Sequence, residues 1–177
     1  MQFKQGVEQA LDLSLLLNAL AADGLISRRE ANRIASAERT RDQVLLHPLS
    51  YIASQQPENH KTPGRILTLD ALTTWLAGTV GLNVWHIDPL KVNVTAVTSV
   101  MSFEFAQRHN ILCVDINDRE AVIATGQPML TGWLHTVEQV ARKPVRRVLV
   151  NPSDLRKYMV EFYSLTKSVR GAGQQQG

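Results

Sequence analysis

The sequence predicts an α+β protein: a small N-terminal helical subdomain linked to an α/β sandwich of about four strands with flanking helices. Three observations carry this expectation. Good helix formers, Leu, Ala, Arg and Glu, crowd residues 7 to 38, and no proline occurs before Pro48. The stretch from Ala53 to Gly64 holds two prolines, a glycine and no large apolar side chain. Beyond it, apolar runs of strand length alternate with runs at helical spacing.

The first helix is expected from about Gln5 to Ala22, with Ala10, Leu13, Leu17, Leu20 and Ala21 on one stripe that Val7, Leu11 and Leu15 widen. Gly24 supplies a left-handed stop. Ser27 followed by Glu30 reads as a capping box opening a second, weakly apolar helix through about Glu38. The proline-bearing stretch cannot bury enough apolar surface to offset its ordering entropy. Residues 56–64 are therefore expected as a linker between a helical subdomain at 1–55 and an α/β subdomain at 65–169.

In the second subdomain, Thr68 caps a helix whose inner stripe is Leu69, Leu72, Trp75, Leu76 and Val80, and Gly81 ends it. Leu82 to Ile87 reads as a strand broken by Asp88-Pro89. Val94 to Arg108 is expected as helix in two pieces, Ser102 opening the second. Ile111 to Ile116 and Ala121 to Thr125 form a hairpin across the Asn117-Asp118 turn. Met129 to Arg142 carries helical spacing through Leu130, Trp133, Leu134, Val137, Val140 and Ala141. In the strand Val145 to Val150, Arg146-Arg147 places a charge on each face, which suits a sheet edge. Pro152 opens a last helix with Leu155, Tyr158, Met159, Phe162 and Leu165 inward, and residues 170–177 read as a flexible tail.

With 44% apolar residues the chain can build a core, and its formal net charge is only +3. The basic residues fall in separate pairs among acids, as on an ordinary solvated surface, so nucleic acid is not an expected partner. The single cysteine, Cys113, sits in an apolar run and reads as a small buried hydrophobe in a reducing compartment. Leu13 to Ala22 mimics the core of a signal peptide, but Glu8, Asp12 and Asn18 argue against that reading. No apolar run approaches the ~20 residues needed to span a bilayer, so a cytoplasmic protein without membrane insertion is expected.

No Gly-Lys pair occurs anywhere, so the loop that cradles nucleotide phosphates is missing and no catalytic residue is assigned. His47, His60, His86, His109 and His135 are scattered and supply no metal set. Asp115 and Asp118 suit turn chemistry. Trp75, Trp85 and Trp133 fall on helix stripes or a strand and read as core, with one of Trp85 and His86 reaching solvent.

Several short motifs recur in a fixed order: Leu72-x-x-Trp75-Leu76-Ala77, Ile87-Asp88-Pro89-Leu90, Arg108-x-x-Ile111-Leu112, Ile123-Ala124-Thr125-x-x-Pro128, Trp133, Pro152-x-Asp154-Leu155 and Glu161-Phe162-Tyr163 before Ser168-Val169. In that order the chain resembles the N-terminal domain of type II secretion and type IV pilus assembly ATPases. Cys113 stands where that family usually has proline. The resemblance implies an adaptor that tethers a hexameric motor to the cytoplasmic part of an inner-membrane platform, the motor being the protein's own C-terminal ATPase domains. On that view the tail begins a linker, and the apolar first helix, through Leu13, Leu16, Leu17 and Leu20, is the candidate docking surface. Some members bind cyclic di-GMP through a pattern Arg-Leu-Gly-x-x-Leu-Val-x-x-Gly-Leu-Ile. Here Gly24-Leu25-Ile26 matches its end, but Leu15-Leu16-Leu17 replaces Arg-Leu-Gly, removing a guanidinium able to stack on a base or pair with phosphate. A cyclic di-GMP module is thus the alternative, resting on Gly24, Leu25 and Ile26 alone.

Overall fold

The computed structural model describes residues 7–174, with the side chains of 170 and 172–174 left out. The chain divides into two compact units at Gly81/Leu82.

The helical unit contains α1 (Leu13–Ala22), α2 (Arg28–Ser36), α3 (Arg41–Leu45), α4 (Pro48–Ser54) and α5 (Leu69–Val80). The first helix starts later than expected because the Asp12 carboxylate accepts the Leu15 N–H at 2.7 Å and takes the N-cap role. Gln5 and Gly6 lie outside the described residues. Ser27 accepts the Glu30 N–H at 3.0 Å, but the Glu30 carboxylate turns to the Arg33 guanidinium at 2.6 and 3.0 Å. Half of the expected capping box therefore forms, and α2 stops at Ser36.

Two short helices lie where none was expected. At α3 the box is complete: the Gln43 N–H donates to Thr40 and the Thr40 N–H to the Gln43 side chain. Pro48 stands in the first turn of α4, and His47 Nδ1 accepts the Leu49 N–H.

The expected linker is instead an ordered part of this unit. Asn59 N–H donates to the Arg65 carbonyl at 2.7 Å, Leu67 N–H to Pro57 at 2.8 Å and His60 N–H to Leu25 at 2.9 Å. The Glu58 and Asn59 side chains accept from Gly64 and Lys61. Polar side chains here satisfy the backbone that apolar burial leaves unsupported, so the division at 56–64 moves to Gly81, which closes α5 in the left-handed conformation at φ 75°.

The second unit contains α6 (Val94–Thr98), α7 (Phe103–His109), β1 (Ile111–Ile116), β2 (Ala121–Thr125), α8 (Leu134–Ala141), β3 (Val145–Leu149) and α9 (Pro152–Gln174). The sheet runs β1-β2-β3, with β1/β2 antiparallel and β2/β3 parallel. Central β2 is buried along its whole length, and a register shift lies between Cys113 and Asp115. The expected fourth strand at Leu82 to Ile87 shortens to one bridge, Val84 with Leu149. Asn83 and Trp85 each exchange a backbone bond with Leu149. Asp88-Pro89 then turns the chain away, since proline lacks an N–H and restrains the residue before it.

Helix α8 begins at Leu134 rather than Met129, the preceding residues forming turns through Leu130 N–H to Gln127 and Leu134 N–H to Thr131. The expected break between α6 and α7 is present, with Ser102 accepting the Phe105 N–H at 3.1 Å. Strand β3 lies at the sheet edge; exposed Arg146 bonds Glu120 and lies over the Trp85 ring, while Arg147 donates to the Pro128 carbonyl. Trp85 is half-buried and His86 exposed. On α9, Leu155, Met159 and Phe162 are buried but Leu165 is not, and the helix continues through Gln174 where a tail was expected. Residues 175–177 lie outside the described residues.

One close contact in this unit yields a measurable expectation. A Cβ at Gly126 would clash with the Asn110 side-chain amide and stand 3.2 Å from a Leu155 methyl. Gly126 N–H also bonds the Asn110 carbonyl at 3.0 Å, which fixes the approach. Gly126→Ala is expected to destabilise the chain by about 1–3 kcal/mol, the range for overpacking, read as a lowered urea midpoint at unchanged slope.

Candidate functional site

Of the expected docking residues, Leu16, Leu17 and Leu20 are 0%, 1% and 0% exposed, and Leu13 is half-buried. This corrects the expectation. The wide apolar face of α1 is consumed by the helical unit's own interior, where α1 packs on α2 and α4, and none of the three is free to meet a partner.

The Gly24-Leu25-Ile26 turn has a structural explanation of its own. Gly24 has φ +74° with nothing near its absent side chain. Gly24 N–H donates to Ala21 and Leu25 N–H to Leu20, the two bonds of a Schellman cap, with Leu25 and Ile26 buried beneath. Beside it, Asp23 accepts the Trp75 indole N–H at 2.7 Å and Arg28 donates to Asn18 at 2.8 Å. The expected motif end is thus a helix terminator, tied by its backbone to Ala21 and Leu20.

What sequence reasoning missed is α3. Val44, Leu45 and Leu46 are 55%, 80% and 37% exposed, and none of the five residues of α3 is buried. The start signal, Thr40-x-x-Gln43, is legible in the sequence; the outward direction of the apolar residues is not. In the second unit, the α6–α7 corner and α8 enclose an open apolar groove of about 340 Å³ lined by Val100, Met101, Phe105, Val137 and Val140. Its polar lining is Ser and Thr only.

Among the described residues no group of three His, Cys, Asp or Glu side chains converges on a metal position, and no helix is long and apolar enough to cross a membrane. Burial pushes the Cys113 thiol up to about 12, so it is not a thiolate nucleophile at neutral pH. Burial likewise raises Tyr163 to about 12, and its hydroxyl donates to the Met101 carbonyl at 2.7 Å. Both groups serve the interior.

Comparison with known proteins places this architecture. The chain is 36% identical over 163 residues to the type IV pilus assembly ATPase TfpB of Acinetobacter baylyi, an overlap that covers 92% of this chain and spans 28% of that relative's length. Two solved structures share the fold. The structure of MshE with cdg matches at a TM-score of 0.57 and 15% identity, covering 84% of this chain and 98% of that one. The N-terminal domain of XpsE matches at 0.50 and 11%, covering 85% and 96%. The pattern of the MshEN domain matches residues 80–169, which is more than half of the 177 residues and includes the whole sheet, and the chain belongs to the MshEN domain family.

Proposed function

We propose that this chain is the N-terminal adaptor domain of a type IV pilus or type II secretion assembly ATPase, docking the motor to the cytoplasmic part of the inner-membrane platform. The observation that carries this reading is the 36% identity to a pilus assembly ATPase across 92% of the chain. The absence of any Gly-Lys pair agrees with a segment that binds rather than hydrolyses. On this reading the chain works in the cytoplasm, reaches the membrane only through its protein partner, and acts beside its own C-terminal ATPase domains in a hexamer.

The test is direct binding: the purified chain should show saturable, stoichiometric association with the cytoplasmic domain of the platform protein encoded with the same system, and no ATP turnover. Absence of binding at tens of micromolar would sink the reading.

A cyclic di-GMP-binding regulatory module of the same family is the second reading, drawn from the likeness to MshE, whose structure carries cdg. Against it, Leu17, at the position where the binding pattern has glycine, is a leucine side chain sealed in the interior. Leu15 occupies the arginine position. Isothermal titration showing heat at micromolar cyclic di-GMP would restore this reading.

A further inference from the structure

We draw no further inference here: the strongest candidate, the open apolar groove between the α6–α7 corner and α8 with Met101, Phe105 and Val140 on its walls, carries nothing because nothing in the structure shows what covers it.

Discussion

Leu16→Asp is expected to unfold the helical unit, whereas the same substitution at Leu45, 29 positions on, leaves it folded. Leu16 is fully buried in a unit that also seals Leu17, Leu20, Ile34, Leu49 and Ile52. Losing a buried leucine costs about 2–5 kcal/mol through transfer and cavity terms, and an unpartnered carboxyl in that place adds its desolvation. The sum is on the order of 5 kcal/mol or more, comparable with the whole stability of a small domain. The pH dependence has a definite sign. Burial raises the folded-state pKa of the introduced carboxyl above its unfolded value near 3.9. The neutral form is the one tolerated, so the deficit relative to wild type is largest at neutral pH and shrinks as pH falls towards about 4. Hydrogen exchange resolves the location: amides of α1, α2 and α4 should lose protection in Leu16→Asp and keep it in Leu45→Asp. Equal stability of the two variants would mean that α1 is a surface helix after all.

Much of this division was open to reading in the sequence, and the failures have physical causes. Capping signals translated directly into structure: Thr68 accepts the Ala71 N–H, Ser102 accepts the Phe105 N–H, and Gly81 takes the left-handed conformation. Hairpin β1–β2 and the edge position of β3 followed from β-rich runs and paired arginines. The stripe on α1 was visible as apolar, but a stripe states only that a face is buried, not against what. Whether Leu16 meets its own unit or a partner depends on α2 and α4, and α4 was not foreseen. Residues 56–64 looked like a linker because the criterion counted apolar side chains. That stretch is ordered by Asn59, Glu58 and backbone bonds to Leu25, Arg65 and Pro57, which an apolar count does not see. The strand at Leu82 to Ile87 had the right composition, but it pairs through a single bridge, Val84 with Leu149. The exposed triad of α3 was illegible for the opposite reason: its composition is that of a core segment.

Trp133→Ala is expected to be the most damaging truncation in the second unit. Among the described residues Trp133 is the largest fully enclosed side chain, 2% exposed, and belongs to the interior formed with Ile123, Val137, Val148 and Phe162. It precedes the first residue of α8 without any side-chain cap, so its hold on the helix comes from packing and from its indole N–H, which donates to the Leu130 carbonyl at 2.9 Å. Removing an indole from such a site costs about 3–5 kcal/mol. Trp133→Phe keeps most of the apolar area and loses the hydrogen bond, for about 1–2 kcal/mol. Trp75 provides the contrast within the same chain: it is half-buried, and its indole bonds the exposed Asp23. Trp75→Phe should therefore cost no more than about 1 kcal/mol. Urea unfolding followed by far-ultraviolet circular dichroism, which does not depend on the indoles replaced, ranks the three variants. If Trp133→Ala were no worse than Trp75→Phe, the turn from Gln127 to Trp133 would not be packed as described, and the start of α8 would lack the anchor that stands in for its missing cap.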